Sequence, residues 1–492
     1  MACPSGRADL NKTKRRYTMK TKLMAILFAT ACLMTGLVGC SSKNAETPAE
    51  NVSGTSDESQ AADSGSVSTL DSSDTGTAGS TSAEGGDLTV WIVALFNEEA
   101  NTSLAEQLKS FEGADVTVEQ IAAAEMPTQL ATALQSGTMP DICIVHAGML
   151  LSISESIPFL DLTDLYEEIE ADRPFVGSLR SVSTFGEKLP LIPLYESAIG
   201  LFCRKDVFTA AGLGEADIPS TWEEYVDVAY KLDGAVDGVY SAGTGFGASD
   251  DDDEANFLWC WYFANGGKLW NEDGSISEDE KDVKLMEDLI GTYAKMYEDG
   301  LIPPDASTWD GGGNNASYLN GTTAMVMNSF TLYNAMTDSE DYAELLENTW
   351  VAPVPAGTDG TVNQAGIMSF AVSESSKNPD GAKALIKYMM TGDWYDGWIE
   401  QLFPLNAPVF ADFGEKEKYA DGVGKTAFEF IQSNKTVYTG YGVTDPAVLT
   451  AGSQFSLTFP ICNALQSVIV GGESAQNAAA GLFEDAKGYA LN

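Results

Sequence analysis

The chain has 492 residues, with 72 Asp and Glu against 27 Lys and Arg, and a formal net charge of −45 at pH 7 with its single histidine neutral. Such a surface repels nucleic-acid phosphates and anionic lipid headgroups, which excludes nucleic acid as a partner and basic-patch docking on a bilayer; neutral or cationic ligands are tolerated. One histidine also excludes a multi-histidine metal site.

In chain order, the first feature is a basic stretch (Lys12, Lys14, Arg15, Arg16, Lys20, Lys22) followed by an apolar run from Leu23 to Val38. The run is shorter than the ~18 residues a membrane span needs and ends in small residues, so residues 1–39 read as a signal peptide. Met19 opens a signal peptide as well as Met1 does. Leu37-Val38-Gly39-Cys40 resembles the lipobox of bacterial lipoproteins, in which the cysteine is acylated and becomes the first mature residue; at ~0.8 kcal/mol per buried CH₂, two or three acyl chains hold such a protein on a membrane. Residues 40–86, the lipidated cysteine and a Ser/Thr/Gly linker without aromatics, cannot bury enough surface to order, and as a flexible coil span roughly 35–40 Å. Loss of residues 1–40 removes seven basic residues and one acidic residue, leaving 20 against 71, a net charge of about −51. Cys143, Cys203, Cys260 and Cys462 lie in apolar runs without a C-x-x-C spacing, as buried free thiols or, alternatively, disulfides.

The mature region alternates strands and helices. Leu88–Val93, Val116–Val118 and Ile142–Val145 read as strands, and the apolar spacing of Thr102–Phe111 and Pro127–Gln135 predicts helices between them. This is a doubly wound α/β unit with a parallel sheet, whose ligands sit beyond the carboxyl ends of the strands. Capping boxes at Ser220-Thr221-Trp222-Glu223 and Ser277-Glu278-Asp279-Glu280 open helices at Thr221–Lys231 and Glu278–Tyr297. Strands near Thr323–Met327 and at Ile367–Val372 and a helix at Pro379–Met390 follow. Some 400 residues are too many for one core, so two lobes are expected.

A set of motifs follows in a telling order: the first strand with Leu108-Lys109-Ser110-Phe111-Glu112; Ser136-Gly137-Thr138-Met139-Pro140-Asp141-Ile142; Gly186-Glu187-Lys188-Leu189-Pro190-Leu191-Ile192-Pro193; Lys205-Asp206-Val207-Phe208 with Ala211-Gly212-Leu213; Pro219-Ser220-Thr221-Trp222-Glu223-Glu224-Tyr225; Ala264-Asn265-Gly266-Gly267; Asn320-Gly321-Thr322-Thr323-Ala324-Met325; and Ala464-Leu465-Gln466-Ser467-Val468 with Gly471 or Gly472. In this order the chain resembles family 1 of the extracellular solute-binding proteins of ABC importers, the maltose-binding-protein-like carbohydrate group. The resemblance implies two doubly wound α/β lobes joined by a multi-crossing hinge, of the type II periplasmic-binding-protein kind. The lobes expected from it are 87–195 plus about 366–405, and 196–365 plus about 406–492, with crossings near Leu194–Ser197 and Gln364–Ser369. It further implies a monomeric, lipid-anchored extracellular subunit that captures a sugar, most simply an oligosaccharide, between its lobes and delivers it to the permease subunits, with no cofactor, metal or catalytic residue. Ligand shifts the open-closed balance by its differential affinity for the two states.

A sugar is held by aromatic rings under its C–H faces and by carboxylates and amides on its hydroxyls. Candidate ligand contacts near the expected cleft edges are Phe96, Asn97, His146, Tyr195, Glu196, Glu254, Asn256, Trp259, Trp309, Asp310, Ser329, Phe330 and Tyr333. Trp259 and Trp261 are two apart, so on a helix at most one of them faces the cleft, and Trp259 is the one whose distance from Gly266-Gly267 matches a ligand-facing family position. Trp222, Trp91, Trp394 and Trp398 are read as core. A polyamine could instead pair with Glu196, Glu254 and Asp310; a lipid-anchored glycoside hydrolase with two carboxylates, and a non-transporting sensor or adhesin, are further alternatives. Gly243-Thr244-Gly245-Phe246-Gly247 lacks the spacing of a dinucleotide fingerprint. Asn271-Glu272-Asp273-Gly274 is a turn rather than a calcium loop, because Leu269 stands at its first ligand position. Asp250–Glu254 is read as a solvated run, with a cation contact as the alternative.

Overall fold

The structure, a computed structural model, describes residues 86–94, 97–123, 125–153, 157–177, 179–247, 252–364, 366–433, 435–437 and 445–491. The expected signal peptide, Cys40 and the linker up to residue 85 lie outside the described residues. Among the described residues no helix is long and apolar enough to cross a membrane.

Two sheets organise the chain. The first contains β1 (Asp87–Val93), β2 (Asp115–Ile121), β3 (Ile142–His146), β4 (Ile192–Ser197), β10 (Ile367–Val372) and β11 (Asn406–Pro408), in the order β11-β4-β10-β3-β1-β2. The second contains β5 (Ile199–Arg204), β6 (Tyr240–Ala242), β7 (Thr323–Ser329) and β8 (Thr349–Ala352), in the order β6-β7-β5-β8; β9 (Val362–Gln364) pairs with β12 (Lys435–Val437) apart from both. The expected parallel sheet holds for β2-β1-β3. Beyond it β10 runs antiparallel to β3 and β4, because it is the strand on which the chain returns from the second sheet.

Local chemistry sets the helix ends. The first helix, Glu98–Lys109, starts four residues earlier than its apolar spacing suggests, because Asn97 accepts the Ala100 N–H and Glu98 and Glu99 fill the first turn. The capping box on Trp222–Leu232 is formed by Thr221 and Glu224, one residue later than expected. The helix Glu280–Glu298 is capped by Asp279, while the Ser277 hydroxyl is drawn inward to the buried Asp282 carboxylate at 2.5 Å. Trp270 and Ile276 bridge across the 271–275 turn, where Asp273 accepts from the Ser275 N–H and hydroxyl. Cys143, Cys203, Cys260 and Cys462 are buried thiols rather than disulfides, and burial pushes the Cys143 and Cys203 thiols far above their ordinary value.

The chain passes between the sheets where β4 runs into β5 through Ala198, and returns between β8 and β10. β11 pairs with β4, Asn406 opposite Ser197, completing the edge of the first sheet. Arg173 then ties the following segment to the same lobe, with Asp396 at 2.8 Å and Asp412 at 2.9 Å and its guanidinium 4.4 Å over the Phe410 ring. The helix Pro446–Ser456 packs on the helix Ala147–Ile153, Thr450 donating to the Leu151 carbonyl at 3.1 Å. The next helix, Pro460–Ile469, packs instead on the second-lobe helices Asp252–Ala264 and Glu280–Glu298. Residues 457–459 thus link two helices that pack on different lobes, and the helix Gly422–Ser433 before them lies against both β11 and the second-sheet strands β5 and β8. A three-residue edge strand containing Pro408 carries no periodic signal that could have placed it.

Candidate functional site

The strand directions bring one end of each sheet to the crossings. β3 ends at His146, opposite Met368 at the start of β10; β4 ends at Ser197; β7 ends at Ser329, opposite Ile199 at the start of β5. Backbone hydrogen bonds stitch these ends together: Ser197 N–H to Gly366 O at 3.1 Å, Ala198 N–H to Leu405 O at 3.2 Å and Phe330 N–H to Ala198 O at 3.3 Å. β6 is parallel to β7, so the buried segment 243–247 leaves it toward the same end. Carboxyl strand ends converging at a switch between sheets are where α/β folds place ligands.

The side chains at these ends are mostly neutral hydrogen-bonding groups. Ser197 donates to Asn406 Oδ1 at 3.2 Å, the Ser329 and Thr331 hydroxyls lie 2.8 Å apart, and Thr331 donates to Asn328 Oδ1 at 3.2 Å. Asn328 is fully buried and its Nδ2 has no protein partner. His146 is half-buried, and burial holds its imidazolium below the ordinary value near 6.5, opposed by a hydrogen bond with the Ile367 backbone. The folded chain therefore binds fewer protons than the unfolded one once the pH falls past about 6.5, and the stability contributed by neutral His146 is complete above that value and lost below it. Lowering the pH from about 7.5 to about 5 should reduce the denaturation midpoint more for the wild-type chain than for His146→Gln; equal slopes in the two would show that His146 contributes nothing.

Trp309 lies against the 243–247 segment that leaves β6. It is half-buried, in the irregular loop between the turn Ala306–Thr308 and the helix Gly313–Leu319. Glycine on two sides permits its position: a Cβ at Gly247 would lie 2.0 Å from the Trp309 carbonyl oxygen, and one at Gly313 would lie 2.4 Å from the Trp309 Cβ. Among the described residues no group of His, Cys, Asp and Glu is arranged to hold a metal ion.

A family model described as bacterial extracellular solute-binding protein matches residues 85–395, well over half of the chain. The chain belongs to this family. No curated protein matches the sequence. Solved structures share the fold of this solute-binding protein. The sugar-binding protein MalE of Xanthomonas citri superposes with a TM-score of 0.68 at 17% identity, covering 82% of this chain and 97% of its own. A putative oligosaccharide periplasmic-binding protein of Synechococcus sp. MITs9220 gives 0.67 at 16%, and the cyclic alpha-maltosyl-1,6-maltose binding protein of Arthrobacter globiformis 0.66 at 15%, each covering 82% of this chain and 98% of its own.

The structure of this solute-binding protein gathers only some of the expected contact residues at the strand ends. His146 and Ser329 are there with accessible surface, Tyr333 is half-buried in the segment that follows β7, and Trp309 is half-buried in its loop against residues 243–247. Tyr195 is buried in the first lobe with its ring 6.2 Å from that of Trp398, and Glu196, at the same strand end, is completely buried. Phe330 is core, packed on Phe202. Trp259 is 2% exposed, stacked on Phe263 with Tyr262 at its edge. Of the pair on that helix, Trp261 is the half-buried one. Asn97 is spent on its helix cap, and the exposed Asp310 accepts from the Gly312 N–H within its own turn. Phe96 and the side chains of Glu254 and Asn256 lie outside the described residues. Ser197 and Asn406 also meet at these ends, through a register between strands far apart in sequence, while Asn328 and Thr331 join across the single turn at the end of β7.

Proposed function

We propose that this protein is the extracellular capture subunit of an ABC importer, anchored through acylated Cys40, and that it closes its two lobes on a neutral oligosaccharide and presents it unaltered to the permease. The observation that carries the sugar reading is the neutral hydrogen-bonding set at the converging strand ends, and the half-buried Trp309 and Tyr333 are the aromatic faces assigned to it. Serine, threonine and asparagine side chains offer donors and acceptors to hydroxyl groups without a charge to neutralise, and rings cover C–H faces. The several structural neighbours whose names include maltose, oligosaccharide or sugar are in keeping with it. A polyamine site would need carboxylates facing a common space, and the hydrogen bonds observed at these ends join hydroxyl and amide side chains.

The test is thermal unfolding with a panel of malto-, laminari- and other oligosaccharides, with spermidine as the cationic control. A ligand at one hundred times its Kd should add ~2.7 kcal/mol to stability and raise the midpoint by a few degrees. A shift with spermidine and with no glycan would overturn the sugar reading in favour of a cationic ligand.

A further inference from the structure

We infer that Gln466, remote in sequence from every strand end, is the positioning residue that holds Trp309 in place for ligand. This rests on the reading of Trp309 as the sugar platform. The Gln466 side-chain amide has two N–H groups and spends them on two loops: Nε2 donates to the Phe246 carbonyl at 2.9 Å and to the Ser307 carbonyl at 3.1 Å. The first loop carries Gly247, which abuts the Trp309 carbonyl, and the second leads into Trp309 two residues later. The two loops are also joined by the Phe246 N–H to the Ala306 carbonyl at 3.0 Å. One amide thus closes a ring of contacts whose other members are backbone, and Trp309 stands at its open side.

The placement of Gln466 gives this clamp a second consequence. It lies on the helix Pro460–Ile469, which follows the link from a helix packed on the other lobe, and that helix is entered from Phe459, a non-glycine residue in the left-handed region at φ 52°. A left-handed phenylalanine persists only where its surroundings determine it. Here the Phe459 N–H is bonded to the Ser456 carbonyl, and Asn463 donates to the Thr458 carbonyl at 2.6 Å. The loop bearing Trp309 is therefore referenced to this link rather than to its own neighbours alone.

The experiment uses the full chain labelled with 5-fluorotryptophan, whose nine tryptophans give separate ¹⁹F signals; loss of one signal in Trp309→Phe assigns it. In Gln466→Met, which keeps the length and removes both donors, the Trp309 signal should shift while the others hold, and Kd for maltotetraose should rise about tenfold, the equivalent of one to two hydrogen bonds. Adding Gln466→Met to Trp309→Ala should weaken binding no further. An unmoved Trp309 signal, with a lower melting midpoint alone, would reduce Gln466 to a structural residue and overturn the inference. If the signal moves but no glycan binds the wild-type chain, the positioning role stands and the sugar reading fails. Should Gln466→Met not fold, Gln466→Glu, which sets acceptors against both carbonyls, makes the same test.

Discussion

Trp309→Ala weakens oligosaccharide capture by about 30- to 150-fold with little change in unfolding midpoint. Stacking a pyranose on an indole removes on the order of 100 Å² of apolar surface from water, worth about 2–3 kcal/mol at ~25 cal/mol/Å², which corresponds to that range. The loop does not depend on the ring to hold its course. Its backbone is fixed by the approach of Gly247, by the Phe246 to Ala306 hydrogen bond, and by the Gly313 N–H to Asp310 carbonyl bond at 2.8 Å. Removal of the ring therefore takes away ligand surface and leaves the frame. Trp309→Phe, which keeps a smaller face, should lose several-fold less. Calorimetric titration decides it: equal affinities in wild type and Trp309→Ala would remove Trp309 from the site.

The largest expected effect on stability belongs to Trp398→Ala, at about 3–5 kcal/mol, the range for deleting a large aromatic from a packed core. Trp398 is almost wholly buried on the helix Trp394–Leu402, stacks on Trp394 at 5.2 Å and donates its indole N–H to the Ala100 carbonyl at 3.0 Å. It joins three elements from distant parts of the chain: its own helix, the first helix Glu98–Lys109, and β4 through Tyr195. The cavity left by its loss is walled by Tyr195 and Tyr395, rings whose partners leave them little room to collapse into it. Urea denaturation should show the midpoint falling with the slope preserved; a loss below about 1 kcal/mol would mean the seam closes over the gap.

Residues whose role depends on near neighbours in sequence were legible before the structure. β10 was read to the residue, and Trp222, Trp394 and Trp398 were read as core, because apolar runs and four-residue spacing report the face an element buries. Cap assignments slipped by one or two residues where two capping side chains compete, as Ser277 and Asp279 do. The candidate site was less legible. Tyr195 and Trp259 have the composition of sugar contacts, yet whether an aromatic meets ligand or core depends on what packs over it. For Tyr195 that is Trp398, two hundred residues later; for Trp259 it is the stack with Phe263 on a helix apolar around most of its circumference. Asn97 has the chemistry of a ligand contact, but the unsatisfied N–H groups of the first helical turn claim it first. Asn406 and Ser197 meet only because β11 pairs with β4, a register no local pattern announces.

The most direct test is calorimetric titration of the full chain with the glycan giving the largest thermal shift, at low and at high salt, with the ligand recovered afterwards. Capture of a neutral sugar predicts one site, an affinity nearly independent of salt, and glycan recovered intact. Affinity that collapses with salt would point to a charged ligand, and shortened glycan would make this protein an enzyme; either result would contradict its assignment as a capture subunit for a neutral oligosaccharide.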